Sequence, residues 1–264
     1  MKLIRYRFEN QIHTGVVTAE GIVPVADDLL AIVQSGKLPA VARGVPAIAF
    51  DRVTPVLPYD VPPKIWCIGL NYKTHAEDID AVQPEEPGSF MKPASCMFQP
   101  GGEIILPPPQ FSDDVDAEGE LGVVIGKKCK HVEMEDVPGA IFGYTTTLDL
   151  TALDVLKKNT RYLTRAKSFD TFFSFGPVIV TADEVPDVNA LEVITEHNGG
   201  VCSRDFVHHM RHRPYELVRF HSNYMTLYPG DLISTGCPKG ARIKAGDRVR
   251  SRIDGVGTLS ATVR

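Results

Sequence analysis

The chain has no Cys-x-x-Cys pair, no uncharged apolar run of the roughly 18 residues a membrane helix needs, and no block of one charge sign. Each absence removes a class of protein. The five cysteines, Cys67, Cys96, Cys129, Cys202 and Cys237, are odd in number and scattered, which fits reduced thiols in a cytoplasmic protein and argues against a thiolate metal site. Met1 to Asn10 shows neither an apolar core nor a small-residue cleavage site, so an unexported, soluble chain is expected. Acidic and basic residues are interspersed at a formal net charge of −5, which leaves no electrostatic footprint for nucleic acid. Gly-x-x-x-x-Gly-Lys-Ser/Thr is missing, and no Gly-x-Gly-x-x-Gly follows a strand, so nucleotide cofactors have no support.

A length of 264 residues suits one large domain with a smaller one attached. Short strands are predicted at Lys2 to Phe8, Thr14 to Thr18 and Gly21 to Val25, then a helix near Asp27 to Ser35. Residues 54–63 hold four prolines in ten positions, which deny donors and force extended backbone. This places a boundary between a small N-terminal α/β domain, residues 1–60, and a main domain, residues 61–264. Beyond it, Lys64 to Gly69 reads as a buried strand and Asn71 to Asp80 as a turn and short helix. From residue 90 onward, short β-rich runs broken by Gly and Pro dominate, with helical patterns only near Ala152 to Lys158 and Tyr215 to Ser222. Strands outnumber helices and do not alternate with them, so the fold class expected is α+β, β-dominated, rather than parallel βαβ.

The run from Glu118 to Ile125 ends in β-branched residues and reads as a strand, which puts Glu118 and Glu120 on one side of it. Two carboxylates in one small volume persist only with a proton, a basic partner or a cation between them. With Asp149 they form an all-oxygen donor set suited to Mg²⁺, Mn²⁺ or Ca²⁺. The spacing alone fits a solvated strand face equally well.

Other residues carry similar pairs of readings. His75 and Asp78 share one face of a helical turn, the arrangement of an oriented general base or of a plain surface histidine. Lys167, framed by Ala166 and Phe169, and Lys92 in Phe90-Met-Lys92-Pro are either pocket cations or surface lysines. The turn at Thr235-Gly236-Cys237-Pro238 either presents N–H groups and the Thr235 hydroxyl to an anion or closes a plain hairpin. His208 and His212 sit four apart, but Arg204, Arg211 and Arg213 would repel a cation, so an exposed loop or subunit contact is expected there.

Taken in order, these pieces resemble the fumarylacetoacetate hydrolase family, in a bacterial-type two-domain form. They are Ile68-Gly-Leu-Asn-Tyr-x-x-His75-Ala, Phe90-x-Lys92-Pro, Asp116-x-Glu118-x-Glu120-Leu-x-Val-Val-Ile-Gly126, Gly143-Tyr-Thr with Asp149, Lys167-Ser-Phe-Asp170, Gly176-Pro, Asn198-Gly and Met225-Thr-Leu-x-Pro-Gly-Asp-Leu-Ile-x-Thr-Gly. The match spans about residues 64 to 264.

The resemblance implies a mixed β-sandwich roll that forms homodimers. It assigns Glu118, Glu120 and Asp149 as ligands of Mg²⁺ or Mn²⁺, and His75, with Asp78 or Glu77, and Lys167 as catalytic. Tyr72, Lys92, Thr235, Gly236 and Leu153 fall at substrate-binding positions. The implied activity is hydrolytic cleavage of a C–C bond in a β-diketo or 2-oxo acid, of the acylpyruvate or ring-fission-product type met in aromatic catabolism, through a metal-stabilised enolate. Decarboxylation, enol/keto isomerisation of the 2-hydroxyhepta-2,4-diene-1,7-dioate type, and an inactive ligand-binding homologue are the alternatives.

The chain departs from the family pattern where Leu148, Leu153 and Leu156 replace common polar residues, and where Cys237 replaces a common Thr. The loss of an Arg there argues against a small diacid such as oxaloacetate and for a substrate with an apolar arm.

Overall fold

The computed structural model describes residues 1–41 and 44–264, and two sheets organise them. The larger has twelve strands. Its main path runs Gly21–Val25, Gln11–Thr18, Lys2–Phe8, Val178–Thr181, Ile141–Ala152, Val115–Ile125, Leu232–Ser234, Ile65–Gly69, Gly88–Met91. The smaller has five, in the order Gly200–Phe206, Glu192–His197, Arg248–Ile253, Gly257–Val263, Glu103–Ile104. Pairing is antiparallel except where Leu232–Ser234 lies along Ile65–Gly69 and Gly257–Val263 along Glu103–Ile104. The fold is therefore α+β and β-dominated, with mixed sheets.

The N-terminal strands belong to the larger sheet. Leu3 lies opposite Ile179, and farther along the same edge of Lys2–Phe8, Tyr6 and Arg7 pair with Thr54–Pro55 in the proline-rich segment. Tyr59 in that segment donates its hydroxyl to the Gly230 carbonyl at 3.0 Å, and Arg5 forms a bidentate pair with Asp60. The prolines thus run along the molecule instead of away from it.

Two long strands, Val115–Ile125 and Ile141–Ala152, form the spine, and every residue in both is buried. Their register sets Glu118 against Asp149, Glu120 against Thr147 and Asp116 against Thr151. Directly opposed residues share a face, and alternation then divides each strand into a polar side and an apolar side. Thr147, Asp149 and Thr151 face the same way as the glutamates, while Leu148 and Leu150 turn into the main core. Burying each leucine contributes about 1.5–3 kcal/mol, enough to hold the alternation against the cost of facing carboxylates inward. On the apolar side the smaller sheet packs close. A Cβ at Gly119 would lie 2.7 Å from Thr195 Oγ1, the atom that accepts the Gly119 N–H at 3.1 Å.

Several expectations need correction. Leu148, expected to bear on the substrate with Leu153 and Leu156, lies inside the strand Ile141–Ala152, whose two-residue alternation Asp149 and Thr151 carry toward its end. Leu148 is therefore a core residue that faces away from the site. The basic stretch expected as an exposed loop from Arg204 begins inside a strand, Gly200–Phe206, where Arg204 is held by Glu192 at 2.6 and 2.7 Å. A short helix, Leu163–Lys167, was not anticipated, and it carries Lys167.

Candidate active site

Gly88–Met91, the long strands' polar face and the helices Lys73–Asp78, Leu153–Lys158 and Leu163–Lys167 enclose a cavity of about 390 Å³. Its floor is ionic. Glu118, Glu120 and Asp149 are each at least 97% buried, with carboxylate oxygens within 4.8 Å of one another. The Lys167 ammonium donates to Glu118 Oε2 at 2.8 Å and to Asp149 Oδ2 at 3.0 Å. Lys92 donates to Asp149 Oδ1 and, at 3.2 Å, to the Leu150 carbonyl.

Hydroxyls and one amide complete the arrangement. Thr151 donates to Glu118 Oε1 at 2.6 Å; Ser234, itself paired with Thr147, donates to Glu120 Oε2; and the Gly236 N–H reaches the same oxygen at 2.9 Å. The turn expected to offer its N–H to an anionic ligand offers it to Glu120. Gly236 sits at φ 95°, and a Cβ there would meet Asn71 Cβ at 2.8 Å and the Ile68 carbonyl at 2.9 Å, so the turn requires glycine.

The electrostatics divide the two glutamates. Burial raises the Glu120 carboxyl, the charges of Asp149 and Glu118 add to it, and the result is about 8. Burial pushes Glu118 the same way, but Lys167, His75 and the Lys167 and Thr151 hydrogen bonds outweigh it and hold the group below its ordinary value. Lys167 is buried too, yet Asp149, Glu118 and Glu120 keep it charged well above the usual lysine range. Three carboxylates face two ammonium groups, so an anionic surplus remains when all are ionised. Buried charge that is not matched costs several kcal/mol per ion. An oxygen-only donor set with this surplus fits a hard divalent cation.

His75 occupies the wall. Burial lowers its basicity, opposed by the nearby charge of Glu118. The expected pairing with an acid of its own helix is not formed. Asp78 is held by Lys239 at 2.6 Å, Glu77 is exposed and lies 3.6 Å from Lys73, and His75 Nδ1 has no hydrogen-bond partner among the described residues. The single helical turn puts Asp78 on the outer side, where a surface lysine reaches it first.

Among the expected substrate-binding residues, Leu153 lines the cavity together with Leu156, Leu163, Leu70, Ile79 and Phe90. Tyr72, Lys92, Thr235 and Gly236 do not. Tyr72 packs in a hydrophobic core, Thr235 donates its hydroxyl to the Leu121 carbonyl at 2.9 Å, and Lys92 and Gly236 position carboxylates as described. Sequence reading missed Thr151 and Ser234, which lie on the same faces as the glutamates, and also Asn71. The Asn71 amide donates to the Thr235 carbonyl at 2.7 Å and the His212 carbonyl at 2.9 Å, tying the His75 loop to the Gly236 turn. The polar alternation Thr147-x-Asp149-x-Thr151 was the available signal for Thr151. His208 and His212 gather no metal-like group among the described residues.

These features define a small-molecule pocket with a buried acidic floor on a β-dominated scaffold. The model of the fumarylacetoacetate hydrolase C-terminal domain matches residues 64–264, and the chain belongs to the fumarylacetoacetate hydrolase family. The human mitochondrial oxaloacetate tautomerase FAHD2B is 36% identical over 229 residues, covering 83% of this chain and 72% of that one. A 5-carboxymethyl-2-hydroxymuconate delta-isomerase from Mycobacterium smegmatis superposes with a TM-score of 0.84 at 31% identity, covering 100% and 99% of the two chains. A maleylpyruvate hydrolase from Sphingobium, solved with manganese(II) and pyruvate, superposes at 0.80 with 26% identity, covering 100% and 98%. A tautomerase, an isomerase and a hydrolase thus share this scaffold, which supports enzyme status and leaves the reaction to be argued from this chain's residues.

Proposed function

We propose that the protein is a divalent-metal-dependent enzyme that stabilises the enolate of a 2-oxo or β-diketo acid and moves a proton between its enol and keto forms. The observation that carries this reading is the buried Glu118–Glu120–Asp149 cluster with Lys167 bridging two of its members. The three carboxylates would hold Mg²⁺ or Mn²⁺, which supplies Lewis acidity at the oxo and carboxylate oxygens of the substrate. Lys167 offers a fixed positive charge beside the developing enolate oxygen, in a site where water is largely excluded. His75, whose basicity burial lowers, lines the cavity and is the group on its wall able to take or return the proton.

Hydrolytic C–C cleavage, in which water adds to the distal carbonyl and the 2-oxo acid leaves as its enolate to take up a proton, draws on the same enolate-stabilising groups and is the second reading, favoured by the likeness to maleylpyruvate hydrolase. It needs an activated water as well. The His75–carboxylate pair that would activate one is absent here, which is why proton transfer ranks first.

The cavity wall bears on the substrate. Its lining cations are Lys167 on the floor and Lys157 at the rim, and Lys157 is engaged by Asp114 at 2.9 Å. Leu153, Leu156 and Leu163 face the space between, so an acylpyruvate with an apolar arm fits better than a small diacid.

The test follows enol absorbance of acylpyruvates with Mg²⁺ or Mn²⁺ while assaying released pyruvate. Enol loss without pyruvate supports the first reading, and stoichiometric pyruvate supports the second. No turnover of either kind by the metal-loaded protein would sink both.

A further inference from the structure

A second group of donors overlaps the acidic floor. Ligand atoms of His75, Glu118 and Cys237 lie within 4.8 Å of one another, all three side chains are buried, and all three line the cavity. This trio differs in kind from the carboxylate cluster. It offers one nitrogen, one oxygen and one sulfur, a mixture that suits a softer divalent ion such as zinc and not magnesium.

We propose that His75, Glu118 and Cys237 form a second, soft-metal site, at which a zinc-class ion binds with thiolate ligation and occupies the groups needed for enolate chemistry. The first support is the histidine. His75 is 7% exposed, its Nδ1 has no partner among the described residues, and the acid that would orient it is engaged by Lys239. A buried ring nitrogen left without a partner costs free energy that a ligand removes. The second support is the backbone. The left-handed turn at Gly236, fixed by its N–H bond to Glu120 Oε2, sets the next residue, Cys237, on the cavity wall beside Glu118.

The geometry is close to what coordination needs. Zinc bonds of about 2.0–2.3 Å place tetrahedral donors about 3.3–3.8 Å apart, so donors within 4.8 Å of one another need close by no more than about 1.5 Å through side-chain torsions. Three protein ligands leave a fourth position open to water or to a substrate oxygen. Binding replaces the S–H bond by a sulfur–metal bond, and the thiol proton leaves to solvent. The two sites share Glu118, so an ion in one competes with an ion in the other, and their unshared ligands, His75 and Cys237 against Glu120 and Asp149, tell them apart.

Cobalt(II) reports the difference, because a thiolate–cobalt bond gives a charge-transfer absorption that oxygen ligands do not. The full chain, stripped of metal with a chelator, is titrated with Co²⁺ alone. The expected result is a charge-transfer band that Zn²⁺ abolishes, that Cys237→Ser and His75→Gln lose, and that Glu120→Ala keeps. His75→Gln leaves the thiol in place, so loss of the band there cannot be ascribed to a missing sulfur, and circular dichroism of each variant checks folding. A wild-type protein with no such band, or a band that survives in folded Cys237→Ser, would overturn the proposal. Failure of the hard-ion reading looks different: Mn²⁺ binding is absent while the cobalt band remains.

Discussion

Glu118 and Asp149 face each other across adjacent antiparallel strands, and one ammonium group, that of Lys167, lies 2.8 Å from the first and 3.0 Å from the second. The lysine therefore holds together two like charges that would otherwise repel. Replacing it with methionine leaves Glu118 without an ammonium partner and Asp149 with Lys92 alone. Lys167→Met is expected to lower the melting temperature of the metal-free protein, with part of the loss restored by millimolar Mn²⁺ through mass action. Turnover of the loaded variant should drop about 100- to 1,000-fold. Thermal melts with and without Mn²⁺ check the first claim, and a variant as stable as the parent without metal would contradict it.

Thr151 touches no cavity-floor oxygen except Glu118 Oε1, to which it donates at 2.6 Å. Thr151→Val keeps the shape and deletes that bond. Metal affinity measured by titration calorimetry should weaken about 10- to 100-fold, as is usual when a ligand loses the partner that orients it. Unchanged affinity would mean that Glu118 is not a ligand or is oriented by Lys167 alone.

Gly236→Ala forces a side chain onto a left-handed backbone and into Asn71 Cβ and the Ile68 carbonyl. The expected cost is about 1–3 kcal/mol in denaturant unfolding, with weaker metal binding as the amide withdraws from Glu120. A variant that loses stability but binds metal normally would show that the amide is dispensable for the carboxylate.

His221 is fully buried, donates from Nδ1 to the Leu217 carbonyl at 2.7 Å and accepts at Nε2 from Ser89 at 2.8 Å, an arrangement that suits the neutral ring. Burial holds its basicity below the ordinary value of 6.5, against the opposing pull of the Leu217 bond. The unfolded chain protonates this ring as pH falls through about 6.5, while the folded chain resists until lower pH. Its contribution to stability is thus complete above that value and declines on acidification. The urea midpoint should be lower at about pH 5.5 than at about pH 7.5. His221→Gln should flatten that dependence, and an equal slope in the variant would assign the effect to other groups such as His212, which burial shifts the same way.

Leu153 and Leu156 line the cavity and offer no cation to a second carboxylate. Leu153→Arg should raise the ratio of oxaloacetate to acylpyruvate turnover by about tenfold or more, since a buried carboxylate is accepted only with a paired cation. A parent enzyme that already prefers oxaloacetate would defeat this argument outright.

Much of the fold was legible from the sequence, because strands with one buried face carry a two-residue alternation. Glu118 and Glu120 on one side of a strand follow from that period alone. Asp149 as their neighbour does not; shared donor chemistry groups it with them and the family resemblance makes it a ligand, but their contact rests on the register of two strands, which short-range pattern does not encode. The His75–Asp78 pairing misled because helical spacing describes only one element, whereas Lys239, far along the chain, decides where Asp78 points. Likewise Leu148 counts as a specificity position only through its departure from the family's polar pattern, whereas it adjoins Asp149 on a strand and so faces the opposite way, into the core. Gly236 was placed at a ligand-binding turn, and its N–H does bind an anion, but that anion is a side chain of the protein.

The strand Leu232–Ser234 lies between Val115–Ile125 and Ile65–Gly69 and is the rung through which they join. The half of the site that holds His75 is thus connected to the half that holds the carboxylates by residues made after all of those side chains. A nascent chain shorter than about residue 236 has every acid of the floor and the histidine of the wall but lacks the rung between them. Formation of the pocket therefore waits on that rung, and a ribosome-bound chain cannot bind metal or substrate in native form until Leu232 to Gly236 have emerged.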